Sequence, residues 1–177
     1  TFVNLYPTAN FAYNFTRNKS LRFRYSGRTT QPSVSQLQDV PDYSNPLQVR
    51  TGNPALKQEF ANSFNLNYNT FNMVNFRYFS ANFTYNQTSN KIVNSTDNLP
   101  KKYIITGDSS GAGKQLIMPV NLNGAYSTSG FFTLGLPFRN PKLKGSTFNS
   151  TTMASYNRDV SMFYRRVNYT RNLMLTQ

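Results

Sequence analysis

The most regular feature of the chain is a strict alternation of apolar and polar residues near its start. Residues 11–16 read Phe-Ala-Tyr-Asn-Phe-Thr and residues 21–26 read Leu-Arg-Phe-Arg-Tyr-Ser. Because side chains along a β-strand point to opposite faces with a period of two, each segment predicts a strand with one apolar, mainly aromatic face and one polar face. Residues 17–20 alone separate the segments, so together they predict a β-hairpin.

The same alternation returns later and predicts an all-β chain. It is clear in residues 64–68, 79–85, 116–122 and 132–138, and it resumes at residues 169–175. Residues 145–155 alternate weakly and residues 156–168 read as a loop. The adjacent Tyr78 and Phe79 predict either a bulge or an aromatic rim. With few helix formers and frequent Pro and Gly, the pattern predicts an antiparallel meander of about eight strands.

The predicted connections differ in length. Residues 17–20, 70–74 and 127–130 are short, whereas residues 27–58 and 86–102 are long and rich in turn residues. Alternation of short and long connections is typical of outer-membrane β-barrels, so we predict a partial transmembrane β-barrel. The alternative is a soluble cell-surface β-sandwich that binds a glycan or a protein, in which the same apolar residues would form a core between two sheets.

Composition narrows the possible functions. The 177 residues include no Cys, His or Trp, which excludes disulfides and Cys/His metal sites. A net charge of +13 would attract a polyanion, and steep salt dependence would mark a nucleic-acid binder. The cations are scattered along the chain, however, so we expect no nucleic acid among the partners. No run of about 18 apolar residues is present, which excludes a transmembrane helix.

Catalytic signals are weak. The segment Gly107–Lys114 looks like a phosphate-binding loop, but five residues separate Gly107 from Gly113, and Gln115 stands where a P-loop has its hydroxyl. Asp39 and Asp42 lie close together, as turn residues often do. We therefore expect no enzyme, no catalytic residues, no cofactor and no metal.

Cations and one tyrosine supply the candidate binding residues. In a barrel, Arg22 and Arg24 would face the lumen, where arginines attract anionic or polyhydroxyl solutes. In a sandwich the same two residues would only be solvent-exposed. The long predicted loop contributes Arg28, Tyr43 and Arg50, which we expect to contact ligand from outside.

Specific sequence blocks then suggest a family. They are Tyr25-Ser26-Gly27-Arg28-Thr29-Thr30-Gln31-Pro32-Ser33, Gly52-Asn53-Pro54-Ala55-Leu56 and Ser155-Tyr156-Asn157-Arg158-Asp159. An aromatic strand, an Arg-x-x-x-Pro-Ser turn and a Gly-Asn-Pro-x-Leu segment in this order resemble the barrel of TonB-dependent outer-membrane receptors and the large outer-membrane β-barrel family related to them. The resemblance covers most of the chain.

The resemblance implies a barrel of about 22 strands around a plug domain. Such receptors import glycans, iron chelates or similar nutrients across the outer membrane of Gram-negative cells. The chain has no plug-like segment and no terminal aromatic residue, so we expect residues 1–177 to be a single β-barrel segment of a larger barrel. The implied partners are outer-membrane lipid, a small nutrient or glycan ligand, the remaining barrel and plug, and an inner-membrane energy transducer.

Overall fold

The structure, a computed structural model, describes residues 3–99, 114–138, 141–143 and 145–177. Its strands are β1 (Thr8–Thr16), β2 (Lys19–Thr30), β3 (Asp42–Asn45), β4 (Gln48–Arg50), β5 (Glu59–Asn72), β6 (Arg77–Ser89), β7 (Lys91–Asn98), β8 (Gln115–Leu122), β9 (Ala125–Pro137), β10 (Thr147–Phe163) and β11 (Arg166–Thr176). The helices are α1 (Val34–Leu37) and a 3-10 turn (Pro141–Leu143). None of the helices described is long and apolar enough to cross a membrane.

Seven of the strands form an antiparallel sheet, here called the main sheet. Its order is β1-β2-β5-β6-β9-β10-β11, and each neighbouring pair is antiparallel. Pairing is regular over long stretches: β5 and β6 pair residue by residue from Phe60 opposite Ser89 to Asn72 opposite Arg77. The alternation of side chains along one strand therefore continues in phase across the sheet.

The four short strands form a second region, here called the loop layer. It is built from residues 31–58, which join β2 to β5, and from the described parts of the connection between β6 and β9, residues 90–99 and 114–124. Strand β4 pairs in parallel with β8, and β7 pairs in parallel with the end of β10, where Met162 lies opposite Ser95. The loop layer therefore caps the end of the main sheet that carries the long connections.

The main sheet confirms the predicted separation of faces. Phe11 lies opposite Phe23, which lies opposite Leu66, which in turn lies opposite Phe83. These side chains share what we call the apolar face, and they stay open: Phe11 is 55% exposed and Phe83 is 46% exposed. An extensive exposed apolar surface of this kind marks contact with a non-aqueous phase or another surface.

Near the loop layer, five rings cross the apolar face from β2 to β10. We call them the aromatic row. Their successive ring centroids lie 4.9, 6.1, 6.1 and 5.8 Å apart, in the order Tyr25, Phe64, Tyr85, Tyr126 and Tyr156. At the opposite end, the Lys19 ammonium lies 4.9 Å from the centre of the Phe15 ring. Aromatic side chains at both ends of an apolar band are typical of the two interfaces of a membrane-spanning sheet.

Two predictions about the sheet are wrong. The described residues form eleven strands in an open sheet rather than about eight, and two of the pairings are parallel. The extra strands, β3, β4 and β7, lie in the polar connections, where turn residues and a mainly polar sequence leave no readable alternation. Tyr78 and Phe79 pair in register with Phe71 and Thr70, so the predicted bulge is absent.

Several predicted connections are strands. Residues 127–130 lie inside β9, and residues 156–168 form the turn and the adjoining ends of the β10–β11 hairpin, whose turn places Tyr164 and Arg165 at positive φ. Residues 86–102, predicted as a polar connection, include the end of β6 and all of β7. In each case Ser, Thr and Asn on the polar face hid a regular strand. The apolar run 103–106 and Gly107–Gly113 lie outside the described residues.

The described strands form one sheet, and no second sheet covers its apolar face. A β-sandwich would bury these side chains between two sheets. Strands β1 and β11 lie at the two edges of the main sheet, and every residue in them is exposed. Such long edges expose unpaired backbone groups, which a closed barrel would pair.

Candidate ligand-binding site

The second face of the main sheet, here called the polar face, carries the predicted lumen residues. Arg22 lies opposite Ala12 on one side and Asn67 on the other, and Arg24 lies opposite Asn10 and Asn65. The residues between them along each strand belong to the apolar face. Strand geometry alone therefore brings the two arginines and a set of amides together.

The two arginines line an open groove of about 450 Å³. The Nε atom of Arg24 donates a hydrogen bond to Oδ1 of Asn10 at 3.1 Å, which fixes the orientation of that guanidinium group. Asn65 and Asn67 form the opposite wall. The polar lining consists of guanidinium donors and amides and contains no carboxylate, so the groove suits ligands with carboxylate or hydroxyl oxygens.

Away from the groove, amides and hydroxyls continue across the polar face. Asn65 donates to Oγ1 of Thr84 at 2.9 Å, and Oγ of Ser80 donates to Oδ1 of Asn69 at 2.7 Å. Further along, the Thr133 and Thr151 hydroxyls lie 3.2 Å apart. This surface is polar and largely uncharged, which suits contact with water and sugar hydroxyls.

The Gly-Asn-Pro-x-Leu segment holds the loop layer together. A Cβ atom on Gly52 would lie 2.8 Å from the backbone oxygen of Gln36, so the chain passes here too closely for any larger residue. Asn53 donates from Nδ2 to the backbone oxygen of Pro119 at 3.0 Å and accepts from the Ala55 N–H at 3.0 Å. Leu56 is 4% exposed. The segment joins the two long connections to each other.

A second cleft, of about 250 Å³, lies in the loop layer and contains Arg50. Its other polar walls come from Ser35, Gln36, Asn94 and Thr96. Ser33 accepts a hydrogen bond from the Gln36 N–H and so caps helix α1 at the edge of this cleft.

Arg50 pairs across the β3–β4 hairpin with Asp42. The pKa of Asp42 lies below its ordinary value, first because the Ser44 N–H donates to its carboxylate and, to a smaller extent, because of the charge of Arg50. Asp42 is therefore ionised at neutral pH and partly offsets the charge of Arg50.

The predicted site residues fall into separate groups. Arg22 and Arg24 share one groove, and Arg50 lies in the loop-layer cleft. Arg28 lies within β2 rather than in a loop, and Tyr43 is exposed on β3. Neither lines the groove or the cleft, so their contact with ligand stays a prediction, as does that of the other three.

Sequence reasoning did not select the amides of the groove. Asn65 and Asn67 alternate with apolar residues, which was the available signal. The polar walls of the Arg50 cleft left no such signal, because they come from two separate connections, residues 35–51 and 94–96, which the β4–β8 pairing helps to bring together.

Comparison with known proteins agrees with this geometry. A sequence profile described as the outer membrane protein beta-barrel family matches residues 1–176. Comparisons with curated proteins and with solved structures returned no significant match. The match covers nearly the whole chain and agrees with a sheet that has one apolar and one polar face, flanked by aromatic residues. The chain therefore belongs to the outer membrane protein β-barrel family and is located in the outer membrane.

Proposed function

We propose that this chain forms part of the wall of a TonB-dependent-receptor-like barrel that takes up a nutrient such as an iron chelate or a glycan. The observation that carries the proposal is the groove on the polar face, in which Arg22 and Arg24 lie beside Asn65 and Asn67. In a membrane barrel this face lines the lumen, and arginines there select for anionic or oxygen-rich solutes.

The groove supports the proposal through its charge. Arg22 and Arg24 are two residues apart on one strand, and the Nε atom of Arg24 donates its hydrogen bond to a neutral amide. Their positive charges are therefore not neutralised by a carboxylate within the groove lining. Guanidinium groups bind carboxylates through paired hydrogen bonds, so an iron–carboxylate chelate fits the arginines, and sugar hydroxyls fit the amides.

The loop layer supports the same route for the ligand. It lies at the end with long connections, which in bacterial outer-membrane barrels face outside. The Arg50 cleft would meet a solute first, and the polar face would then conduct it inward. Arg28 and Tyr43 belong to the same end of the molecule and are proposed as further contacts.

The proposal includes other parts of a larger assembly. Strands β1 and β11 expose their outer edges, and seven long strands are too few to surround a plug. We propose that further strands of the barrel pair with both edges, and that a plug and an inner-membrane energy transducer complete the receptor. The chain itself would bind and guide solute without catalysing a reaction.

The test is a binding titration by calorimetry with the chain in detergent micelles. The probes are ferric citrate, an anionic chelate, and maltoheptaose, a neutral glycan. Removing two charge-assisted hydrogen bonds in R22Q/R24Q should weaken ferric citrate binding about tenfold or more. The matched control is R165Q/R166Q, which removes the same charge at the β10–β11 turn.

Two results would count against the proposal. One is that neither probe binds the wild-type chain. The other is that R22Q/R24Q binds ferric citrate as well as the control does.

A further inference from the structure

The apolar face carries a cation without a matching anion. Arg158 belongs to this face because it follows Tyr156 by two residues on β10. Its guanidinium carbon lies 4.0 Å from the centre of the Tyr169 ring and 5.8 Å from that of Tyr126. Its Nε atom is buried and donates to no described residue. A buried donor without an acceptor costs free energy, and no described carboxylate neutralises this guanidinium group.

A second arginine lies directly across from it. Arg171 pairs with Arg158 in the β10–β11 register and shares its face. Like charges in such a pair repel each other. The acidic side chains that the structure describes make contacts elsewhere: Asp39 with Thr51, Asp42 with Ser44, Glu59 with Ile92, Asp97 with Arg165 and Asp159 with Lys91. Among the described residues, the pair therefore has no carboxylate of its own.

An apolar groove of about 200 Å³ begins beside this pair. Gly130 and Ala154 lie opposite each other in the β9–β10 register and form its floor. Larger side chains form its walls, namely Phe83, Phe132, Tyr156 and Leu173. The Tyr156–Leu173 pair lies two residues along the strands from the Arg158–Arg171 pair and shares its face. The groove therefore runs from the two arginines toward the middle of the apolar face.

We propose that this surface, here called the lipid cleft, binds one phosphorylated membrane lipid, with its headgroup phosphate on Arg158 and Arg171 and an acyl chain between Gly130 and Ala154. The two arginines lie next to the aromatic row, at the level where headgroups meet the hydrocarbon. Guanidinium groups bind phosphate oxygens in a bidentate manner. The adjoining apolar groove favours a lipid over free phosphate.

The cleft is independent of the nutrient proposal, because it lies on the opposite face of the sheet. It rests on the outer-membrane location and on the contacts of β9, β10 and β11. Failure of ferric citrate binding and failure of lipid binding are therefore distinguishable.

The test is native mass spectrometry of the whole chain in micelles, with equimolar phosphatidylglycerol and phosphatidylcholine. Wild-type chain should retain the anionic phosphatidylglycerol about tenfold more than the zwitterionic lipid, because its headgroup offers a phosphate without a compensating ammonium. R158Q/R171Q should abolish this preference. R165Q/R166Q should keep it, since it removes the same charge from the same hairpin.

A second variant tests the acyl-chain groove. A154L leaves every cation in place and fills the floor of the groove, so it should lower the amount of retained phosphatidylglycerol several-fold. Excess inorganic phosphate should displace little lipid from the wild-type chain.

The proposal is overturned if R158Q/R171Q keeps the preference or if R165Q/R166Q loses it equally. Unchanged retention in A154L, together with displacement by inorganic phosphate, would identify a free-phosphate site instead. Since A154L keeps both arginines, it remains decisive even where R158Q/R171Q folds poorly.

Discussion

The main sheet and the loop layer are built from similar residues but are held together in different ways. The main sheet exposes its apolar side chains, with Leu66 40% exposed and Phe83 46% exposed. The loop layer contains a small core in which Val49 is 2% exposed and Leu116 is 6% exposed. In the sheet, backbone pairing supplies most of the contacts. In the loop layer, the backbone pairing of β4, β7 and β8 is supplemented by a helix cap and by side-chain amides such as Asn53.

The surroundings explain this difference. A sheet that faces hydrocarbon has no need to bury its apolar face inside the protein, but it must pair its backbone groups within the hydrocarbon. The loop layer lies beyond the membrane, where water competes for hydrogen bonds. Burying even a few apolar side chains away from water therefore stabilises it. The two regions should therefore respond to different substitutions.

The largest effect should come from a charge on the apolar face. Phe83 lies near the middle of β6, between the aromatic row and the Lys19–Phe15 contact at the opposite end of the apolar face. We expect F83K to lose about 2–4 kcal/mol of folding free energy in a bilayer, the cost of a lysine near the midplane. The measurement is urea unfolding in vesicles, followed by the loss of strand signal in circular dichroism.

The neighbouring residue provides the control. Asn82 lies on the polar face, so N82K should unfold within about 1 kcal/mol of wild type. Equal losses in F83K and N82K would mean that the two faces are not distinguished by their surroundings.

A smaller effect, confined to the loop layer, should follow G52A. The new methyl group would press on the Gln38 and Gln36 backbone oxygens, which cannot move without disturbing helix α1. We expect a loss of about 1–3 kcal/mol, typical of overpacking. Limited proteolysis should cut residues 31–58 faster while the main sheet keeps its strand content.

A matched glycine exists in the main sheet. A Cβ atom on Gly130 would come no closer than 3.4 Å to another atom, which is ordinary contact. G130A should therefore leave proteolysis of the loop layer unchanged. Faster cleavage in G130A as well would show that the two regions unfold together.

Asn53 tests the tie between the two long connections. N53A removes the donor to Pro119 and the acceptor for Ala55. The expected loss is about 1–2 kcal/mol, since a buried backbone oxygen is left without its partner. Hydrogen exchange should rise in β4 and β8 but not in β5, and a uniform rise would contradict a local role.

The smallest effect should be one of pH at the β10–β11 turn. Arg165 donates to Asp97 at 2.8 Å, and this hydrogen bond lowers the pKa of the carboxyl below its ordinary value. Because the folded pKa is the lower one, the stabilisation is present above the unfolded pKa and is lost as the pH falls through the folded pKa. Exchange of the Tyr164 amide, which donates to Thr96, should therefore rise in acid.

D97N is the control for this pH effect. It removes the titrating group, so exchange at Tyr164 should no longer depend on the ionisation of residue 97. A D97N profile identical to that of wild type would assign the acid sensitivity to another group.

The sequence predicted the main sheet much better than the loop layer. Residues 11–15 and 21–25 fixed both faces of the first hairpin, because period-two alternation is a local property. The hairpin of β10 and β11 was predicted only at its outer ends, residues 145–155 and 169–175, while residues 156–168 were predicted as a loop. Ser, Thr, Asn and Arg occupy most of its positions and weaken the contrast between faces.

Of the two candidate sites, the groove could be predicted from the sequence and the Arg50 cleft could not. Arg22 and Arg24 share a strand, so their common face follows from their spacing. The Arg50 cleft depends on the parallel pairing of β4 with β8, which brings Arg50 opposite Ile117. Nothing in either short segment specifies that partner, and the contact arises only when both long connections fold over the same end of the sheet.

Strand β10 belongs to both regions at once. Most of its length pairs with β9 in the main sheet, whereas its last residues pair with β7, and the turn that follows is tied to Thr96 and Asp97. A displacement of β7 would therefore also displace the end of β10, and β10 continues into the part of the main sheet that faces the hydrocarbon. A movement in the loop layer therefore has a covalently continuous route into the main sheet.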